Sequence, residues 1–137
     1  MRHVLLLSLL ILAACDTVET FPPEAGVALE GVTLTADRSM YDNDDEVGLT
    51  LRNDGAARVE TGVLGCAALE RRTDAGWVRD AALNDRPCIL LLVVLEPGDL
   101  EGGSVDLDAV GGAPDGTYRF VHGTSVGDVA SASFEVR

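Results

Sequence analysis

Apolar residues recur at every second position in four short stretches of this chain. Val32, Leu34 and Ala36 alternate with Thr33 and Thr35, and Val47, Leu49 and Leu51 alternate with Gly48 and Thr50. Val105, Leu107 and Ala109 alternate with Asp106 and Asp108, and Ala130, Ala132, Phe134 and Val136 alternate with Ser131, Ser133 and Glu135. Successive side chains of a β-strand point to opposite faces, so this period belongs to strands with one buried and one wet face. No stretch of ten or more residues combines helical spacing with helix caps. Between the alternating stretches lie "YDNDDE", "RNDGAA", "RTDAGW", "LNDRP", "EPGDLEGG", "GGAPDG" and "HGTSVGD". Their Gly, Asn, Asp and Pro residues supply the backbone geometries that turns need. About seven or eight short strands separated by turns predict an all-β antiparallel sandwich, in one domain and without repeats.

The N-terminal residues follow another rule. Val4 to Ala14 is an eleven-residue run, apolar except for Ser8, preceded by Met1-Arg2-His3. A spanning helix needs about 20 apolar residues, so the run is too short to cross a membrane. Its order of positive start, apolar centre and small-residue end is that of a secretory signal. Leu12-Ala13-Ala14-Cys15 resembles a bacterial lipobox. The resemblance implies cleavage before Cys15 and acylation of that cysteine, with each buried CH₂ contributing about 0.8 kcal/mol to membrane attachment. The expected organisation is a signal peptide over 1–14, a lipidated cysteine and flexible tether over 15–27, and a sandwich over 28–137. The place of work would be the cell envelope, on the inner or outer membrane, with the domain in the periplasm or outside the cell.

Once residues 1–14 are removed, nine arginines face 23 acidic residues, a formal charge of −14 with no lysine. That balance excludes nucleic acid, whose phosphates demand a basic surface. It also leaves attachment to anionic lipid to the acyl chains alone. Cys66 and Cys88 then remain as an even pair in an oxidising setting, and a disulfide between them is expected; two buried free thiols are the alternative.

"MYDNDDEVGLTLRNDG", Trp77, the "LEPGD" turn and "DGTYRF" occur in an order that resembles bacterial immunoglobulin-like domains. A weaker resemblance runs to domains of the intracellular proteinase inhibitor family. Either implies a sandwich over about residues 28–137, and neither carries over a catalytic residue. The expected function is a lipid-anchored binding or structural module without catalysis or cofactor. A peptide-binding, protease-inhibitor-like domain presenting a rigid loop near Trp77 is the alternative.

Three features bear on chemistry. Gly123-Thr124-Ser125-Val126-Gly127 matches the G-x-S-x-G nucleophile elbow, which would make Ser125 the nucleophile of a hydrolase. That elbow requires a following helix, acid and histidine, and the sole mature histidine, His122, precedes the serine. Asp42, Asp44 and Glu46 offer hard oxygen ligands of the kind calcium prefers, with Asp99 and Glu101 as helpers from a neighbouring loop. A solvated turn explains the same acids without a metal. One histidine and two bridged cysteines cannot assemble a zinc site.

Ile89 to Leu95 is seven apolar residues in a row. Read as a strand, it places Ile89, Leu91, Val93 and Leu95 on one face and Leu90, Leu92 and Val94 on the other. A strand with one wet face would alternate. The preferred expectation is that the chain covers both faces itself, using Trp77 and the Cys66 segment. The alternative is that Leu90, Leu92 and Val94 form a face for an unidentified protein partner.

Overall fold

The computed structural model describes residues 21–137; the signal peptide, Cys15 and the first part of the tether lie outside the described residues. The strands are β1 (Val32–Ala36), β2 (Met40–Tyr41), β3 (Glu46–Asn53), β4 (Val59–Thr61), β5 (Ala68–Thr73), β6 (Gly76–Arg79), β7 (Val93–Leu95), β8 (Leu100–Asp106), β9 (Gly116–Thr124), β10 (Gly127–Ala130) and β11 (Phe134–Val136). Single 3-10 turns occupy Leu64–Cys66, Ala82–Asn84 and Asp108–Val110, and there is no α-helix among the described residues. The count exceeds the expected seven or eight because β2, β4 and β7 are only two or three residues long, too short to show a period, and the fourth alternating stretch is divided between β10 and β11.

Two sheets form the sandwich. The smaller has the order β1-β3-β8. The larger is built on β9, which carries β10 and β11 along one edge and β4 and β5 along the other. β6 extends the sheet beyond β5, and β7 beyond β4. All pairings are antiparallel except β2 with β11, which is parallel. Val32, Leu34, Val47, Leu49 and Leu51 from the small sheet meet Leu69, Tyr118, Phe120, Val129 and Phe134 from the large one in a single core. Each such side chain contributes roughly 1.5–3 kcal/mol by leaving water.

The sequence period holds fully in β1 and β3 and shifts elsewhere. The third alternating stretch leaves the sheet after Asp106, so Ala109 sits in a 3-10 turn instead of a strand. In the fourth, Ser131 and Ser133 are buried while Ala132 is exposed, the reverse of the expected phase. Residues 131–133 interrupt the pairing with β9. There Ser131 donates its N–H to the Phe120 carbonyl (2.9 Å), and its hydroxyl accepts from the Phe120 N–H (3.0 Å). These bonds make burial of the serine tolerable.

The same interruption receives the end of the expected tether. Ser133 N–H donates to the Glu24 carbonyl (2.9 Å), Glu24 N–H donates to the Ser133 hydroxyl (2.6 Å), and Val27 bridges to Ala130. Residues 21–27 therefore lie against β10 and β11 rather than forming a free linker. Phe21 meets Thr117 near the start of β9.

The motif around Tyr41 is structural. The buried Tyr41 hydroxyl donates to Asp37 Oδ1 (2.7 Å) and accepts from the Arg38 N–H (2.8 Å), while Gly48 N–H donates to the same Asp37 oxygen (3.0 Å). Asn53, fully buried, donates from Nδ2 to the Ala57 and Leu95 carbonyls and so ties β3 to the other sheet. The "EPGD" turn closes with Asp99 N–H donating to the Glu96 carbonyl (3.0 Å). Gly98, at φ 91°, occupies the left-handed position there that favours glycine.

Candidate functional site

Ser125 lies in the tight turn joining β9 to β10, with no helix behind it. Its hydroxyl accepts from the Glu60 N–H (3.0 Å), and its own N–H donates to the Glu60 carbonyl (2.8 Å). The serine thus latches the hairpin to β4. His122 Nε2 lies 2.8 Å from Thr61 Oγ1 and 3.1 Å from the Gly62 carbonyl. Thr61 spends its own proton on the Gly123 carbonyl, so Nε2 must be the donor and the ring is the Nε2–H tautomer. Burial pushes the His122 pKa below its usual value. Among the described residues no hydrogen bond joins His122 to Ser125. The two G-x-S-x-G glycines serve a hairpin, and the elbow reading fails.

The calcium candidates are no better assembled. In the β3–β8 ladder Glu46 faces Asp106, whereas Glu101 faces Leu51, so Asp99 and Glu101 lie at the far end of the sheet from Asp42 and Asp44. Asp45 Oδ2 is already engaged by Arg38 (3.0 Å) and by the Asp42 N–H (3.0 Å). No group of three or more potential ligands forms among the described residues. The acidic turn caps itself.

The disulfide forms: Cys66 and Cys88 are bonded, with their Cα atoms 5.3 Å apart. The chain leading to Cys88 is pinned at several points. Asn84 accepts from the Leu69 N–H (2.8 Å) and donates to the Leu69 carbonyl (2.9 Å), imitating a strand neighbour for β5. Leu83 is buried in the core, and Arg86 donates to the carbonyls of Gly65 (3.1 Å), Leu83 (3.2 Å) and Ala67. Residues 83–88 form a base tied down at Leu83, Asn84, Arg86 and Cys88.

Beyond that base the chain lifts off. Ile89 is 76 % exposed, Leu90 97 %, Leu91 58 %, Leu92 65 % and Val94 41 %. This corrects the expected self-covered strand over 89–95. Only Val93–Leu95 is β7, because β4 ends at Thr61, opposite Val93, and offers no neighbour to the residues before it. The disulfide meanwhile draws the start of the segment toward Cys66. Trp77 is no cover either. It packs against Arg119 (4.5 Å) and Arg72 (5.5 Å), and its Nε1–H donates to Glu24 (3.0 Å). Leu90, Leu92 and Val94 are exposed as the partner-face reading requires, but Ile89 and Leu91 are exposed with them, so the surface is a loop and not one face of a strand.

Thr61, Gly62, both cysteines and residues 89–92 line a shallow pocket of about 320 Å³ under this loop. Its chemistry is apolar contact; no charged side chain lines it. Sequence reasoning did not anticipate the cluster in which Glu24 ion-pairs with Arg72 (3.2 Å) and Arg119 with Glu70 (2.8 Å) around Trp77. The adjacent acid and two arginines of "LERRT" are its trace in the sequence, and they do not reveal their partners.

No family model matches the chain, and no curated protein matches it.

Proposed function

We propose that this chain is a lipid-anchored, non-catalytic binding module of the bacterial cell envelope, with an immunoglobulin-like sandwich that makes its contact through Ile89–Leu92. The carrying observation is four consecutive large apolar side chains, each more than half exposed, on a base held by the disulfide and by Arg86. Contiguous exposed apolar surface of a few hundred Å² marks an interaction site, and a rigid base lowers the ordering cost of binding. The Cys66–Cys88 bond fits an exported chain, as the signal at residues 1–14 and the Leu12–Cys15 motif also imply. The acidic surface favours a protein contact over nucleic acid.

The test is a photo-crosslinking amino acid at Leu90 in the full chain, in native envelope, with exposed Thr35 on β1 as control. Adducts at Leu90 well above those at Thr35 are expected. Equal yields at both positions would reject the contact site. The inhibitor reading looks to a rigid loop near Trp77, but Trp77 packs against Arg72 and Arg119, so that reading has to use the disulfide-braced loop at 89–92 instead. That reading expects stoichiometric loss of protease activity with the loop intact, and fails if the loop is simply cleaved.

A further inference from the structure

Resting on the reading of Ile89–Leu92 as the contact surface, we propose that Cys66–Cys88 is a thiol-exchange site, opened in the folded protein by a dithiol reductant, and that opening it releases that surface. Exchange requires a sulfur that an incoming thiolate can reach. Cys88 is exposed and Cys66 partly so, and both line the shallow pocket under Ile89–Leu92. No charged side chain lines that pocket, so an anionic thiolate meets no carboxylate there. The bond is also not what holds its surroundings in place. Ahead of it, Leu83 is buried, Asn84 pairs with Leu69, and Arg86 donates to the Gly65 and Ala67 carbonyls on either side of Cys66. Cys66 itself lies in a 3-10 turn closed by the Ala67 N–H on the Leu64 carbonyl (2.9 Å), with Leu64 in the core. A disulfide acts largely by restricting the unfolded chain, so its loss lowers stability while these contacts keep the folded frame.

What the bond does hold is the loop. The Leu91 N–H is turned onto the Ile89 carbonyl (3.0 Å), a bond internal to the loop, and pairing with β4 starts only at Val93. The incoming thiolate attacks the more exposed Cys88 Sγ, forming a mixed disulfide as the Cys66–Cys88 bond breaks. Cys66 leaves with the bonding electron pair, a departure favoured by the Arg86 guanidinium held against both flanking carbonyls. On taking a proton, the Cys66 thiol has an acceptor in the Ile89 carbonyl, 3.7 Å from its sulfur. The second thiolate of the reductant then attacks its own sulfur in the mixed disulfide, and Cys88 leaves and takes a proton in turn. Two electrons and two protons pass from the dithiol to the chain, and the reductant departs as a disulfide. The loop is then held at its two ends alone, by the base at Arg86 and by β7. Ordering Ile89–Leu92 against a partner costs more from that state.

The experiment treats the purified full chain with dithiothreitol in urea below the unfolding transition and follows alkylation of Cys66 and Cys88 by peptide mass. The rate should rise in proportion to dithiothreitol and change by less than about twofold with urea. A rate that climbs steeply with urea, or levels off with dithiothreitol, would show that the bond opens only after unfolding and would overturn the site. A short pulse of 2-mercaptoethanol quenched in acid should leave its adduct on Cys88; an adduct chiefly on Cys66 would overturn the assigned attack. Circular dichroism of the reduced chain, and of the Cys66→Ser, Cys88→Ser double variant, should match the parent; its loss would overturn a change confined to the loop. In native envelope, the photo-crosslinker at Leu90 should give about threefold fewer adducts in the double variant, with the Thr35 control unchanged. Equal Leu90 adducts with and without the bond would overturn the release while leaving the exchange site and the contact surface standing. Leu90 adducts no stronger than those from Thr35 with the bond intact would overturn the contact reading and the release together, while the reduction rate still reports on the exchange site.

Discussion

Two side chains, the exposed Asp37 and the buried His122, set how this domain responds to acid. The Asp37 carboxyl is held below its ordinary range, chiefly by the Tyr41 hydroxyl, and Tyr41 in turn is pushed up by burial and by Asp37. His122 is held below its usual pKa by burial. Both depressed groups bind protons more tightly in the unfolded chain, so stability is complete at high pH and falls with acid. Loss from His122 begins as pH drops through about 6.5, and loss from Asp37 begins lower, below about pH 4. Denaturant melts across pH should show two declines, and His122→Gln should remove the upper one while keeping the lower. Tyr41→Phe strands the Arg38 N–H and one bond of Asp37, at an expected cost of about 1–2 kcal/mol in urea melts. At this scale the sequence was partly legible. The tyrosine and its acidic turn stood out in "MYDNDDE", but the bond from Tyr41 back to Asp37 and on to Gly48 of β3 depends on how the chain turns. His122 beside a G-x-S-x-G pattern offered a catalytic reading that the residue order already opposed, and the hairpin register shows what the two glycines do instead.

Among the elements, the disulfide and the loop it braces make opposite demands on mutation. Replacing Cys66 and Cys88 with Ser should cost about 2–5 kcal/mol, read as a lowered unfolding midpoint. Leu91→Asp and Leu92→Asp, at exposed positions, should each change stability by no more than about 0.5 kcal/mol. Leu95→Ala, three or four residues on and 3 % exposed, should cost about 2–5 kcal/mol. Thermal unfolding of the four variants distinguishes a loop from a covered strand. The alternation disclosed β1 and β3 because each has one face on the core along its whole length. The apolar run at 89–95 was visible too, yet whether it paired depended on β4, some 30 residues earlier in the chain, ending at Thr61. The pattern holds at Ala130, Phe134 and Val136 but reverses over residues 131–133 for a similar reason, since the interruption there is fixed by Phe120 and Glu24.

For the whole molecule, the proposed attachment and the fold make separate predictions. Cys15→Ser should release the protein from membranes, or leave it uncut, while the sandwich and its disulfide stay intact; unchanged membrane partition and unchanged mass would reject the anchor. The core is less forgiving of order. Phe134 stacks with Phe120 (5.5 Å) and Tyr118 (6.2 Å) and meets Tyr41 edge-on (5.1 Å), and β11 supplies the one neighbour that β2 has. A chain delivered N-terminus first, during synthesis or export, must therefore wait for its final strand before these four rings can come together. Contacts closed over so long a loop form slowly, on the millisecond-to-second scale of β-sandwiches. Until Phe134 arrives, Tyr41, Tyr118 and Phe120 lack the ring they pack around, and β2 has no strand to pair with.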